Sequence, residues 1–289
     1  MKKLLYVLTS LCLLVGIFAG CEKPNSSSEG GGTTKENYTE TAFGMNLEMV
    51  YVNGGTFEMG ATEEQGEDAF DNEKPVHKVT LDGFYIGKYE VSQAQWEAVM
   101  GTTIAQQRDK VNSSWPFYGV GDNYPMYYVS WEEAIAFCKK VSQMTGKTYR
   151  LLTEAEWEYA ARGGQSQHYK YAGSNDIEEV AWYEGNNDKW YEGSNSDKKT
   201  HPIGTKKANE LGIYDMSGNV YEWCSDWWDV HYNNSPTVNP QGPSSGSERV
   251  VRSGSWVSSA VSCRVSFRDC LFPDYRDPIL GFRVACSAE

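Results

Sequence analysis

The run Gly212-Ile213-Tyr214-Asp215-Met216-Ser217-Gly218-Asn219-Val220-Tyr221-Glu222-Trp223 sets the terms for the rest of the chain. Asp215 and Glu222 flank a glycine-containing turn with aromatic side chains on both sides. Calcium takes roughly six to eight oxygen ligands, so two carboxylates and the carbonyls of a tight turn make a reasonable half-shell. The same two carboxylates could equally cap turns with no metal present. Upstream, from Gly163 to Tyr214, Asn, Gly and Asp turn residues alternate with isolated aromatics. Irregular chain of that length must be pinned by something other than secondary structure, and bound cations are a candidate.

Composition points the same way. The 289 residues are 13% aromatic and include 28 Gly, which suggests a loop-rich fold held by large flat side chains rather than a helix bundle. The length suits one large domain or two small ones. Against 39 Asp+Glu stand 26 Lys+Arg, a formal net charge of −13, which becomes −15 once Lys2 and Lys3 leave with a cleaved signal. No basic excess exists to displace phosphate counterions, which argues against nucleic acid as a partner.

The N-terminus sets the compartment. Lys2 and Lys3 precede an apolar run from Leu4 to Phe18, short for a spanning helix, which ends in Phe18-Ala19-Gly20-Cys21. Small residues directly before a cysteine resemble a bacterial lipoprotein signal, so residues 1–20 are expected to be removed and Cys21 acylated. Residues 21–42 are Ser-, Gly- and Glu-rich and read as a flexible tether. The expected protein is exported and held by lipid in the cell envelope, at the outer membrane, with one domain over residues 43–289.

Within that domain three helices carry their own start signals. Ser92 with Gln95, Ser130 with Glu133 and Thr153 with Glu156 have capping-box spacing, and Gly146 and Gly163-Gly164 stop the second and third. Ala134, Phe137, Cys138 and Val141 form one apolar face of the second helix. Short strands are expected at Met49–Val52, Val76–Leu81, Phe84–Lys88 and Gly281–Cys286. Glu154, Glu156 and Glu158 at a helix start are accounted for by the helix dipole and solvent. The four histidines, His77, His168, His201 and His231, lack metal-ligand spacing.

Read in order, these segments carry a resemblance. Gly54-Gly55-Thr56-Phe57-Glu58-Met59-Gly60 is followed by Glu73-Lys74-Pro75-Val76-His77, Glu90-Val91-Ser92 and Val129-Ser130-Trp131. Arg150-Leu151-Leu152-Thr153-Glu154-Ala155-Glu156-Trp157, the run quoted first, Gly254-Ser255-Trp256 and Gly281-Phe282-Arg283 complete it. Together they resemble the sulfatase-modifying-factor domain, the fold of formylglycine-generating enzymes, over about residues 45 to 288. The resemblance implies a single α+β domain, related to C-type lectins and low in regular secondary structure. It also implies a calcium ion on Asp215, Gly218, Val220 and Glu222, the middle two through their carbonyls.

Its catalytic part does not carry over. The family's oxidases bind Cu(I) between two thiolates shortly after the Gly-Ser-aromatic motif, and a hydroxyl is a poor substitute for a soft ligand. Here Ser258 takes the first position and Cys263 the second. Copper is therefore not expected, and Cys263 and Ser255 are catalytic candidates only if the chain is nonetheless an oxidase. Of the remaining cysteines, the resemblance sets Cys138 against the terminal strand, where the family's partner position holds Val284 and Cys286 stands two residues on. A Cys138–Cys286 bridge, a Cys224–Cys263 bridge and buried free thiols all stay open, with Cys270 left over.

The last segment suggests a task. From Val257 to Ala288 there is no Lys, Glu, Gln, Met or Trp, types that make up roughly a quarter of the chain. These are the five residues that codons of the form NNC cannot encode. Family positions (Cys263, Arg264, Arg268, Pro273, Gly281, Phe282) alternate with residues that look arbitrary. The segment resembles the variable region of a target protein of a diversity-generating retroelement; an ordinary family member with a biased terminus is the other reading. On the first, Ser258, Ser259, Phe267, Leu271, Phe272, Tyr275, Asp277, Ile279 and Leu280 form a surface for a protein or glycan ligand. The expected function is a non-catalytic, ligand-binding envelope lipoprotein. The rivals are an oxidase acting on sulfatase cysteines and a structural lipoprotein of an envelope secretion or motility machine.

Overall fold

Ser92, Ser130 and Thr153 each accept the amide of the residue three positions on, while Gln95, Glu133 and Glu156 reach back to the cap's own amide. These reciprocal bonds satisfy orphan donors and start three helices where the sequence places them. A further box, Thr103 with Gln106, starts a helix that the sequence reading misses. The computed structural model describes residues 35–288 except 165–168, 188–197 and 233–236. The expected signal, Cys21, most of the expected tether and His168 lie outside the described residues.

In chain order the elements are β1 (Tyr38–Glu40), β2 (Leu47–Val52), β3 (Gly55–Met59), β4 (His77–Leu81), β5 (Phe84–Gly87), α1 (Gln93–Met100), α2 (Ile104–Asp109) and α3 (Trp131–Thr145). They continue with β6 (Tyr149–Leu151), α4 (Glu154–Ala161), α5 (Ile177–Val180), β7 (Tyr221–Trp227), β8 (Arg249–Arg252), β9 (Asp269–Leu271), β10 (Leu280–Gly281) and β11 (Val284–Ser287). Strands β1-β2-β5-β11-β6 form an antiparallel sheet, β3 and β4 a hairpin, and β10-β7-β8-β9 a second sheet in which only the β10–β7 pair is parallel. The architecture is α+β and low in regular structure; between Gly163 and Tyr214 the one-turn α5 is the only helix or strand among the described residues.

Both faces of the five-stranded sheet are buried, and alternation along each strand divides its side chains between two cores. Leu47, Met49, Tyr149, Leu151, Val284 and Cys286 join Trp96 of α1 and Phe137 of α3. Val50, Val52, Phe84, Ile86 and Ala285 join Trp157 of α4 and the hairpin residues Phe57 and Val79. Phe282 packs edge-on against Trp96 and Phe137, with ring centroids 6.1 and 5.3 Å away. Large-to-small changes at such sites cost about 3–5 kcal/mol.

Two expectations change here. The domain begins near Lys35 rather than at Phe43, because Tyr38–Glu40 pairs with β2 and the Tyr38 hydroxyl meets that of Tyr149 at 2.9 Å. The expected strand Gly281–Cys286 is two strands, β10 in one sheet and β11 in the other. Phe282 and Arg283 carry the chain between the sheets because each has a buried partner there, the aromatic core for one and Glu222 for the other.

Candidate functional site

The Asp215–Trp223 run folds as a turn built on left-handed residues: Asp215, Gly218 and Asn219 have φ of 57°, 81° and 60°. A Cβ on Gly218 would lie 2.3 Å from the Trp182 carbonyl oxygen, so only glycine fits. Asn219 ties the turn together. Its amide donates to the Trp182 carbonyl, its Oδ1 accepts the His201 amide, and its Nδ2 donates to Glu90 at 2.6 Å. Trp182 and His201 stack with centroids 3.6 Å apart.

The two carboxylates of the expected calcium quartet have different partners. Glu222 is fully buried; Arg283 donates to both its oxygens at 2.7 and 2.6 Å, and the Trp157 indole adds a third bond at 2.8 Å. Asp215 accepts the Gly204 amide at 2.7 Å, and burial pushes its carboxyl up to about 6. Glu90 is also raised, well above the ordinary carboxylate range, by burial and then by the charges of Asp215 and Glu222. The Gly218 carbonyl accepts the Ser253 hydroxyl at 3.0 Å. A hard cation would thus find Asp215 and turn carbonyls, while Glu222 is committed to Arg283. No set of three or more His, Cys, Asp or Glu is arranged around one metal position among the described residues.

The motif after β8 sets Ser255 against the first oxidase position, Ser258. The Ser255 amide donates to Ser258 Oγ at 2.9 Å, and the two hydroxyls lie 3.0 Å apart. Gly254, at φ 72°, presses against this corner: a Cβ there would be 2.9 Å from Cys263 Sγ. The Cys263 thiol is fully buried, and burial pushes it up to about 12, so it stays protonated at neutral pH. No disulfide joins any of the described cysteines. Cys224 and Cys263 lie in different hydrophobic clusters, whereas Cys138 and Cys286 share one.

Along the terminal segment, burial follows the division made from sequence only in part. Cys263, Arg264, Arg268, Gly281 and Phe282 are buried, whereas Val257, Ser259, Asp269, Phe272 and Tyr275 are exposed. Phe272 is 58% and Tyr275 43% exposed. Two expected surface residues are not on the surface. Leu280 is completely buried because β10 runs beside β7 into the main core, and Ser258 is buried because its hydroxyl serves Ser255. Phe267, Leu271 and Ile279 are half-buried against that core, so they add less apolar surface than expected. Asp277 is half-buried: its carbonyl accepts the Tyr128 amide, and its carboxylate accepts the Tyr275 hydroxyl at 3.0 Å.

The scaffold beneath this segment is ionic. Arg264 pairs with Glu73, Arg268 with Glu154, and Arg252 with both Glu154 and Glu158, all almost wholly buried. Glu154 and Glu158 are therefore not solvent-facing helix-start residues as expected; they anchor the C-terminal arginines. Six of the nine arginines fall from Arg249 to Arg283 in an acidic chain, a clustering that could have signalled this. Sequence reasoning also missed Trp115, 36% exposed and 6.1 Å from the Tyr128 ring.

Comparison with known proteins agrees with this architecture. The sulfatase-modifying factor enzyme 1-like domain family matches residues 34–288. A formylglycine-generating enzyme from Mus musculus is 30% identical over 93% of this chain and 86% of its own length. The chaperone protein LppX of Paenibacillus barcinonensis is 32% identical over 95% of this chain and 97% of its own. Among solved structures, Treponema denticola variable protein 1 is 32% identical with a TM-score of 0.72, covering 88% of this chain and all (100%) of that one.

Proposed function

The chain belongs to the sulfatase-modifying factor enzyme 1-like domain family, and from that premise we propose that it is a non-catalytic binding protein. Its ligand, a protein or a glycan, meets the surface between Trp256 and Gly281, and Cys21 carries the lipid that holds it in the cell envelope. The observation that carries this reading is the burial pattern: Cys263, Arg264, Arg268, Gly281 and Phe282 at family positions are buried, while Val257, Ser259, Asp269, Phe272 and Tyr275 among the arbitrary-looking residues reach solvent. The similarity to a Treponema denticola variable protein supports it. The test is the double substitution Phe272→Ser/Tyr275→Ser. Because both rings face solvent, unfolding free energy should change by no more than about 0.5 kcal/mol, as at ordinary surface sites. A loss of several kcal/mol would place both rings in the core and sink the reading.

Oxidase activity is the second reading, favoured by the relatives named formylglycine-generating enzymes. Against it stand the hydroxyl of Ser258 and the protonated, buried thiol of Cys263. We expect no stoichiometric Cu(I) uptake and no oxidation of a cysteine peptide. Tight Cu(I) binding that disappears in Cys263→Ser would reverse the assignment.

Calcium belongs to the proposal in a reduced form. Glu90, Asp215 and Glu222 surround a single buried guanidinium, that of Arg283, which leaves an excess of buried negative charge. Asp215 and the Gly218 and Val220 carbonyls would hold the ion, which would supply structural charge compensation and no chemistry. EDTA should then lower the melting temperature of the wild type, since ligand binding stabilises the folded state by mass action. Asp215→Ala should make melting indifferent to EDTA. A wild-type curve unmoved by chelator removes the ion from the reading.

A further inference from the structure

The outward part of the terminal segment has a definite chemistry. Phe272 and Tyr275 present rings to solvent, and Asp269 and Asp274 are exposed among them. The one cation of that stretch, Arg276, is turned back into the protein. Its Nε donates to Glu133 at 3.0 Å, its Nη2 to the Ser130 hydroxyl at 3.3 Å and its Nη1 to the Asp274 carbonyl at 3.0 Å. Asp269, Asp274 and Asp277 have no ion-pair partner among the described residues, and the whole chain carries −13.

Tyr275 and Asp277 are also held in place rather than left loose. The Tyr275 hydroxyl donates to Asp277 Oδ2, Asp277 Oδ1 accepts the Ile279 amide at 3.2 Å, and the Asp277 carbonyl is fixed by Tyr128. Burial raises the Asp277 carboxyl, as expected of an acid set into a surface with no cation to meet it. A fixed aromatic ring beside an uncompensated carboxylate is an arrangement that receives a cation, by attraction to the ring face and to the charge together.

We propose that Tyr275, Asp274 and Asp277, flanked by Phe272, form a receptor for a lysine or arginine side chain presented next to apolar residues on a partner protein. The proposal rests on the binding-surface reading above and narrows its ligand from any protein or glycan to a basic protein segment. Ring and carboxylate are already positioned, so little conformational freedom is lost on binding. The overall negative charge would also steer such a partner toward the domain, an effect that salt screens.

The probe is a library of short random peptides displayed on phage and selected against the full chain, with a glycan array run in parallel. Enriched peptides should carry Lys or Arg beside an apolar residue, and their affinity should fall as salt is raised. Asp274→Asn/Asp277→Asn, which keeps the hydrogen-bond acceptors, should weaken them roughly tenfold or more, and Phe272→Ser/Tyr275→Ser should also weaken them. Peptides without basic residues, affinity unchanged by the Asn pair, binding only to glycans, or no enrichment at all would each overturn the proposal. If the Ser pair abolishes binding while the Asn pair does not, the cation receptor fails and the binding surface stands. If neither pair matters, both fail.

Discussion

Arg283→Met is expected to lower the unfolding free energy by about 3–5 kcal/mol, the usual cost of removing one partner from a buried ion pair. The guanidinium has no exposure, and it holds both oxygens of Glu222 while donating to the Gly87 carbonyl at 3.1 Å and the Tyr214 carbonyl at 2.8 Å. Its loss leaves Glu222 without a counter-charge in a region that also contains Asp215 and Glu90. A domain with a total stability of about 5–15 kcal/mol would then unfold at much lower urea. Equilibrium urea unfolding at neutral pH is the measurement. A loss under about 1 kcal/mol, the range of exposed pairs, would mean that the region is wetter than its burial indicates. Adding Glu222→Gln to Arg283→Met should recover part of the loss, because the unpaired charge disappears with it.

Asp226→Asn should act in the opposite direction and only at higher pH. Asp226 is buried, accepts the Glu154 amide at 3.0 Å and the Ser225 hydroxyl at 2.9 Å, and forms no direct ion pair among the described residues, with Arg249 the nearby cation that feels its charge. Burial, then the neighbouring charge of Glu154, pushes its carboxyl from an ordinary 3.8 up to about 7. The folded state therefore keeps this proton over a range where the unfolded chain has already released it. The stability linked to that proton is fully present below about 4 and is lost as pH rises through about 7. Asparagine cannot ionise. The variant should be more stable than wild type by about 1–3 kcal/mol near pH 8 and indistinguishable near pH 4. Melting curves across that range test it, and an equal effect at both ends would exclude titration as the cause.

The candidate surface was only partly legible from the chain. Codon-like bias singled out the terminal segment, and Phe272 and Tyr275 do reach solvent. The same bias cannot tell an exposed leucine from a buried one. Leu280 reads as surface because it stands with Ile279 among the arbitrary-looking residues, yet β10 lies beside β7 and takes it into the core. Gly281 meets the same constraint from the other side, since a Cβ there would stand 2.5 Å from the Met126 carbonyl oxygen.

What the sequence determined by itself is local. Ser92, Ser130 and Thr153 start helices because a cap and its partner three residues on are set by backbone geometry alone. Gly218 and Gly254 occupy turns that residues with a Cβ cannot, and the ordered family motifs carry the α+β class. Only the tertiary structure decided which charges are paired and which residues face outward. Arg264 and Glu73 are 191 positions apart, and Arg268 and Glu154 are 114. A carboxylate's role depends on whether burial strips its water and whether a guanidinium arrives to replace it, and neither can be read from its own neighbours in the chain. That is why Glu154 looked like a solvated helix start and is instead the anchor beneath the segment that carries the candidate surface.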